Sequence, residues 1–304
     1  MAILHLSPSS LISTITHSQR RRIRASRDSV KIRKDLITTE SVSSLSLCPC
    51  GRRHLLGSMI SMPFLPISSS YASGSSASIS MNDLKRLRPP KPDWYEELFA
   101  WCMNTGMESY EAEISDYKMK LFENLVGKAE KVLEIGIGTG PNFKYYSTIP
   151  NVSVLGVDPN AKMESYARRS AVEAGLKSQD FTFIHALGES IPLEDASVDA
   201  VVGTLVLCSV TDVTRTLNEI KRILRPGGIY IFIEHVAAED GTVLRLVQNV
   251  LDPLQQVVAD GCHLTRHTGD YISEARFNGG ADINKVSLPS LAYISSHVYG
   301  VAYN

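Results

Sequence analysis

The chain has 304 residues, of which 43% are hydrophobic and 21% charged, so it is long enough for one or two globular domains with a sizeable core. Its formal net charge of −1 conceals an asymmetry, because residues 1–80 hold 10 Lys and Arg against 3 Asp and Glu, whereas residues 81–304 hold 21 against 29. An acidic body behind a basic leader argues against nucleic acid as the main partner, because phosphate contacts need a basic face.

The leader has the composition of an organelle transit peptide. No Asp or Glu precedes Asp28, and residues 1–27 are rich in Ser and Arg. The Ser content and the Met-Ala start favour a chloroplast type, with a mitochondrial type as the alternative. Arg52-Arg53 before the apolar run 55–67 also suits a twin-arginine signal for the thylakoid lumen, although this run is too short to span a membrane.

A linker separates this leader from the rest of the chain. Residues 68–80 are mostly Ser, Ala and Gly, which is typical of a flexible connection. We therefore predict a disordered transit peptide and linker over residues 1–80 and one folded domain over residues 81–304.

The five cysteines show neither a disulfide pattern nor a metal-binding pattern. Cys102, Cys208 and Cys262 are far apart in the chain, and the other two cysteines lie in the leader. Unpaired cysteines indicate a reducing compartment such as the stroma. The spacing predicts no metal site, and we expect Cys208 and Cys262 to be packing residues.

Two helices, over residues 93–104 and 110–127, are predicted before a strand that leads into a glycine loop. The strand covers 132–135, and the loop contains Gly136, Gly138 and Gly140. Glycines permit positive φ and a close approach of the backbone to a ligand. The dinucleotide fingerprint G-x-G-x-x-G would need its third glycine at Pro141, and the carboxylate of Glu134 would repel a pyrophosphate. A dinucleotide oxidoreductase is therefore disfavoured.

Strands and helices alternate after this loop, which predicts a parallel α/β sheet. The second strand, 152–157, ends at Asp158, whose carboxylate can accept both hydroxyls of a ribose. Further strands are predicted at 181–185, 197–203 and 229–234, with helices at 161–174 and 213–224 and a closing hairpin at 283–288 and 297–303. An apolar helix over 242–258, interrupted at Asp252-Pro253, is predicted to cover an acceptor pocket.

The loop Glu134-x-Gly136-x-Gly138-x-Gly140 resembles motif I of the class I S-adenosylmethionine (SAM)-dependent methyltransferases. The resemblance implies an α/β, Rossmann-like, seven-stranded fold, with a mostly parallel sheet and a C-terminal antiparallel hairpin. It also implies S-adenosyl-L-methionine as cofactor, whose sulfonium and ammonium suit an acidic residue. The cofactor-binding residues implied by the resemblance are Glu134, Gly136, Gly138, Gly140, Asp158, Gly188, Glu189, Thr204 and Leu205. Tyr110 and Tyr117 are candidates for the methionine end of SAM.

Further segments narrow the resemblance over roughly residues 100–304. Those at 110–122, 133–146, 204–210, 234–236 and 260–266 resemble the methyltransferase-like family that includes the animal membrane-associated alkyl thiol methyltransferases. The resemblance implies methyl transfer to a small, apolar thiol or hydroxyl compound. The animal proteins have a hydrophobic membrane anchor where this chain has its transit-like leader, and the composition of that leader predicts activity in plastids, with contact to a thylakoid or lipid-droplet surface. His235, at the end of a strand, is the candidate base, and His263 and His267 are weaker candidates. The alternatives are a C-methyltransferase of quinone or prenyl-lipid type and a non-catalytic SAM-binding protein.

Overall fold

The computed structural model describes residues 88–304, so the predicted transit peptide, twin-arginine segment and linker lie outside the described residues. The strands are β1 (Lys131–Ile135), β2 (Ser153–Asp158), β3 (Phe181–His185), β4 (Val198–Thr204), β5 (Leu224–His235), β6 (Ala281–Ser287) and β7 (Ser296–Tyr303). The α-helices are α1 (Asp93–Gly106), α2 (Glu108–Phe122), α3 (Phe143–Tyr146), α4 (Met163–Glu173), α5 (Val213–Ile223), α6 (Val243–Val258) and α7 (Thr268–Glu274). Short 3₁₀ turns cover Glu123–Leu125, Ser178–Asp180 and Pro289–Ile294.

One seven-stranded sheet runs in the order β3-β2-β1-β4-β5-β7-β6. The first five strands are parallel, and β7 pairs antiparallel with both β5 and β6. The predicted fold, including the C-terminal antiparallel hairpin, is confirmed. The strand order reverses direction between β1 and β4, and ligands of such sheets bind at the carboxyl ends of the strands flanking that point.

The sheet is covered on both faces, which explains the continuous apolar runs in its central strands. Side chains of α2, α3 and α4 pack on one face around Ile114, Phe143 and Ala167. Side chains of α5 and α7 pack on the other face around Leu217 and Ile272. Four of the five residues of β1 are buried, so the loop that follows it starts from a fixed point.

The fifth strand starts earlier than the predicted residue 229, because β5 begins at Leu224 and contains a bulge. Leu224 pairs with Val198, and the pairing resumes only at Ile229 opposite Ala200. The intervening Arg-Pro-Gly-Gly segment contains Gly227 with φ of +78°, and proline has no amide proton for the ladder. These residues therefore form an irregularity inside β5.

The predicted break at Asp252-Pro253 is wrong, because α6 continues through Pro253 to Val258. A proline inside a helix removes one hydrogen bond, to the carbonyl four residues earlier, without removing the bonds on either side. The side chain of Asp252 helps to hold this part of α6, since its Oδ1 accepts from the amides of Leu264 at 2.6 Å and Thr265 at 3.2 Å. Within residues 88–304, no helix combines the length and the apolar character needed to cross a bilayer.

Candidate active site

The loop after β1 forms one wall of a cavity of about 690 Å³. Gly136, Gly138 and Gly140 all adopt positive φ, of 66°, 51° and 80°. A Cβ added at Gly136 would lie 2.7 Å from Val206 Cγ2, and one at Gly140 would lie 2.5 Å from Phe143 Cδ2. Gly136 and Gly138 line the cavity, whereas Gly140 lies behind it, where only hydrogen fits between the backbone and Phe143.

Asp158 lies on the cavity wall at the end of β2, as predicted. Its Oδ2 accepts from the amide of Gly138 at 3.0 Å, and its Oδ1 accepts from the amide of Asn160 at 2.8 Å. Burial raises the pKa of Asp158 to about 6, although these two amide hydrogen bonds act in the opposite direction. An acceptor carboxylate beside a glycine loop suits a ribose with two free hydroxyls.

Glu134 lies beneath the loop rather than on the cavity wall. Its Oε1 accepts from Asn142 Nδ2 at 2.8 Å and its Oε2 accepts from the Tyr146 hydroxyl at 2.6 Å, and the residue is 1% exposed. Burial raises the pKa of Glu134 to about 7, against the effect of these hydrogen bonds. The expected contact between Glu134 and a cationic ligand is therefore wrong. Glu134 instead supports the loop from below, because its hydrogen bonds join β1 to Asn142 and to Tyr146 of α3.

The other predicted cofactor residues also line the cavity. Gly188 and Glu189 follow β3, and Thr204 and Leu205 lie at the end of β4. The Oε1 atom of Glu189 accepts from the amides of Thr211 at 2.7 Å and Asp212 at 3.2 Å, so Glu189 also holds the start of α5. The backbone of Leu205 is strained, with φ of 57° in a non-glycine residue. Strained backbone of this kind clusters at ligand sites.

Two residues that sequence reasoning did not single out for the site hold the segment after β4. Glu234 Oε1 accepts from the amides of Val206 and Leu207, each at 3.1 Å. Arg266 donates from Nη1 to the Leu207 carbonyl at 2.6 Å and also to that of Val210 at 2.8 Å. Glu234 and Arg266 are both distant in sequence from the segment that they hold. No local sequence pattern therefore identifies them.

The remaining wall of the cavity comes from the first two helices and the segment after β4, and it mixes apolar and polar side chains. Its polar residues include Asn104, Glu108 and Glu111. Its apolar residues are Phe99, Met103, Met107, Ala112, Leu205, Val206 and Val210. Tyr110 and Tyr117 are not among the lining residues, which corrects their expected contact with the methionine end. The Tyr110 hydroxyl pairs with the ring of His297, and Tyr117 packs edge-on against Tyr299 at 5.0 Å between ring centroids.

His235 does not line the cavity, so the structure does not place the predicted base against an acceptor. Its Nε2 lies 2.9 Å from Cys262 Sγ, and the residue is 4% exposed. Burial alone would lower the pKa of His235, but the hydrogen bond and the charge of Cys262 raise it. The Cys208 thiol and the His235 ring lower the pKa of Cys262. His263 and His267 also lie outside the cavity wall, on the far side of the segment that follows α6.

The site fits SAM. At Gly136 the backbone comes so close to Val206 that an added Cβ would collide, and a carboxylate that can accept hydrogen bonds ends β2. With the apolar side chains in the lining, these features match an adenosyl group joined to a small chain without phosphate. Gly136, Gly138, Asp158 and the segment around Gly188 would hold the nucleoside. This arrangement requires no pyrophosphate site, in agreement with Pro141 in place of a third dinucleotide glycine.

Comparisons with known proteins give the same assignment. The Methyltransferase domain family matches residues 133–232. Thiol S-methyltransferase TMT1A from Homo sapiens is 40% identical over 200 residues, which cover 64% of this chain and 80% of that protein. Thiol S-methyltransferase TMT1B from Rattus norvegicus is 40% identical over 186 residues, 59% of this chain and 75% of that protein.

Solved structures share the fold at lower identity. One is a chain from the complex of the Haloferax volcanii Trm112 methyltransferase activator with a methyltransferase, with a TM-score of 0.54, 17% identity and coverage of 70% of this chain and 99% of that chain. Another is an O-methyltransferase from Nostoc punctiforme, with a TM-score of 0.51, 18% identity and coverage of 69% and 60%. The chain therefore belongs to the class I SAM-dependent methyltransferases, in the family that contains the thiol S-methyltransferases TMT1A and TMT1B.

Proposed function

We propose that this enzyme transfers the methyl group of SAM to the sulfur of a small, apolar thiol. The relatives that are 40% identical over most of their length are thiol S-methyltransferases. The apolar side chains of the cavity lining, among them Met103, Met107 and Val210, suit an alkyl or aryl group.

The observation that carries this proposal is the 40% identity to thiol S-methyltransferases over 80% and 75% of those proteins. A thiol ionises far more readily than the corresponding alcohol, and its thiolate is a strong nucleophile that needs no positioned base. A hydroxyl acceptor usually needs such a base. No histidine among residues 88–304 lines the cavity, but the carboxylates of Glu108 and Glu111 do, so the preference for a thiol rests on the relatives.

The protein's contribution is to bind, orient and desolvate the reactants. SAM supplies a methyl carbon activated by its sulfonium. Asp158 and the glycine loop hold the nucleoside, and the apolar wall excludes water from the acceptor sulfur. Holding two reactants in line can contribute several kcal/mol to catalysis without any covalent role for the protein.

An acceptor series tests this proposal in the full chain. We expect methyl transfer from SAM to an alkyl thiol, little transfer to the alcohol of the same chain length, and a rate that rises with pH as the thiol ionises. Mass spectrometry of the products measures the transfer, and Asp158→Ala serves as the variant without cofactor binding. Methylation of the alcohol or of a quinol ring carbon would contradict the thiol assignment, and SAM binding without any turnover would favour the non-catalytic alternative.

We also propose that the enzyme works at a lipid surface, because α6 exposes a stripe of apolar side chains while its polar ones, with the exception of Asn249, are partly or fully buried. Gln248 is fully buried, with Oε1 accepting from the amide of Ala238 at 2.7 Å and Nε2 donating to the carbonyl of Tyr293 at 3.0 Å. The outward side carries seven apolar residues that are 37–79% exposed: Val243, Leu246, Val247, Val250, Leu254, Val257 and Val258. The expectation from periodicity that this stripe covers the acceptor pocket is wrong, because none of these residues lines the cavity.

Helix α1 adds tryptophans beside the end of α6. The Tyr95 hydroxyl donates to the Val257 carbonyl at 3.1 Å and accepts from the amide of Asp260 at 3.2 Å, which joins the two helices. Trp94 and Trp101 are 67% and 55% exposed on α1, while other side chains of the same helix line the cavity. Exposed apolar patches mark interaction sites, and tryptophan beside aliphatic residues suits the interfacial region of a lipid layer.

Flotation of the full chain with lipid vesicles tests this surface. We expect Val250→Glu combined with Leu254→Glu to reduce the vesicle-bound fraction several-fold. Val172→Glu is the matched control, because Val172 is 63% exposed on α4 and lies outside the proposed surface. Equal binding of both variants would contradict a role for α6.

We propose a plastid location on the composition of residues 1–27, with a mitochondrion as the alternative. The same composition would suit delivery to the stroma. The exposed apolar side of α6 would then contact a thylakoid or lipid-droplet surface. A C-terminal fluorescent fusion of the full chain, followed by fractionation, tests the location. Recovery with mitochondria would contradict the plastid assignment, and recovery in the lumen would favour the twin-arginine signal.

A further inference from the structure

Three side chains that are far apart in sequence meet in the interior beside the cavity. Cys208 follows β4, His235 ends β5, and Cys262 follows α6. Their ligand atoms all lie within 4.8 Å of one another, and the residues are 2%, 4% and 7% exposed. The amide of His263 donates to the Cys208 carbonyl at 2.9 Å, so the two cysteine-bearing segments are also joined through the backbone.

The donor set suits one kind of metal ion. Two cysteine sulfurs and one imidazole form the soft to borderline set that zinc takes in proteins. In a tetrahedral site with Zn–S near 2.3 Å and Zn–N near 2.0 Å, donor atoms lie roughly 3.5–3.8 Å apart. The Nε2 atom of His235 lies 2.9 Å from Cys262 Sγ, and no pair of donor atoms is more than 4.8 Å apart, so side-chain shifts of about 1 Å or less would give this spacing.

The ring nitrogen that faces Cys262 is Nε2, so this atom would be the metal ligand. The other ring nitrogen, Nδ1, is buried without a hydrogen-bond partner among residues 88–304 and is not part of the donor set. The exposed Cys102 offers no comparable cluster, since it lies on α1 away from these three residues.

We propose that Cys208, His235 and Cys262 bind one zinc ion. Binding would release the two thiol protons to solvent, and two thiolates with a neutral imidazole would balance the charge of the ion. Three protein ligands leave the fourth tetrahedral position to a water molecule. The ion would cross-link three segments whose neighbouring residues, among them Ser209 and Gly261, form part of the cavity wall.

Metal analysis and cobalt substitution test this site in the full chain, purified under reducing conditions. We expect about one zinc per chain after dialysis, and with Co²⁺ the thiolate-to-metal charge-transfer and visible bands of a tetrahedral sulfur site. Cys208→Ser, Cys262→Ser and His235→Gln should each lose these bands or weaken metal binding by about 100-fold or more. Cys102→Ser is the matched control and should retain both the bands and the zinc.

Circular dichroism, measured on every protein, reports folding separately from metal content and methyl transfer, and calorimetric SAM binding shows whether the cavity is intact. A wild type that binds SAM but holds no stoichiometric zinc and develops no cobalt bands would overturn the proposal. Retention of the bands in the Cys208 and Cys262 variants would overturn it as well, as would a Cys208–Cys262 disulfide in the protein prepared with metal. A failure of the thiol assignment would instead appear in the acceptor series, whatever the metal content.

Discussion

Gly140 and Gly175 have similar backbone conformations, with φ of +80° and +87°, but different surroundings. A Cβ at Gly140 would lie 2.5 Å from Phe143 Cδ2, whereas nothing lies within 4 Å of one at Gly175. We expect Gly140→Ala to lower the free energy of unfolding by about 2–4 kcal/mol, because overpacking adds to backbone strain. Gly175→Ala should cost about 1 kcal/mol from strain alone. Chemical denaturation measures both, and equal losses would contradict a packing role for Gly140.

Burial raises the pKa of Asp158 to about 6. We therefore expect cofactor binding to depend on pH in an accessible range. The ionised carboxylate is the form that accepts from two ribose hydroxyls, so SAM binding is favoured above this pKa and lost as the pH falls through it. We expect the Kd for SAM to be constant above about pH 7 and to rise by up to about tenfold per pH unit below pH 6.

Asp158→Asn is the control for this profile. It should bind SAM weakly at every pH, because an amide accepts fewer hydrogen bonds, and it should lose the pH dependence. Calorimetric titration at several pH values measures both proteins. A profile that persists in Asp158→Asn would assign the pH dependence to another group, such as Glu134 with its pKa near 7.

For single residues, sequence spacing identified the ends of β1 and β2, and both Gly136 and Asp158 line the cavity there. It could do so because the loop follows a buried strand directly and the acid ends the next one. It misplaced Glu134 and His235, since whether a strand-end side chain turns into the cavity or away from it depends on partners such as Tyr146 and Cys262.

Among the elements, α6 offers a test of the proline that it contains. Pro253 is exposed within the helix and supplies no amide proton for its turn. We expect Pro253→Ala to raise the free energy of unfolding by about 1–2 kcal/mol, because the restored hydrogen bond outweighs the greater freedom of the unfolded chain. Thermal unfolding measures the change, and a loss of stability would contradict this account.

Asp252→Ala provides the opposite comparison in the same helix. Its carboxylate accepts from the amides of Leu264 and Thr265 and from Gln256 Nε2, so its removal leaves partly buried amides unpaired. We expect a loss of about 1–3 kcal/mol. Helix α6 also shows what periodicity leaves undecided. The 3.6-residue repeat predicted the helix, but not which side faces the interior: Gln248 has its hydrogen-bond partners there, so the apolar stripe faces outward.

For the whole molecule, cofactor binding and stability should be linked. Several strand ends meet at the cavity, so a ligand that binds only the folded state stabilises the domain as a unit. SAM at about 100 times its Kd should add about 2.7 kcal/mol to the free energy of unfolding. Chemical denaturation with and without SAM measures this gain, and Asp158→Ala should show little of it. A full gain in that variant would mean that Asp158 does not contribute to binding.

The sequence by itself determined the alternation of strands and helices, the glycine loop and the acid that ends β2. These depend on local periodicity, on turn chemistry and on residue order along adjacent parallel strands. Only the tertiary structure decided which buried polar groups meet. Cys208, His235 and Cys262 come from three separate segments, and Tyr110 reaches His297 across 187 residues of sequence. Such contacts depend on how the strands and their connections pack together. No spacing along the chain predicts them.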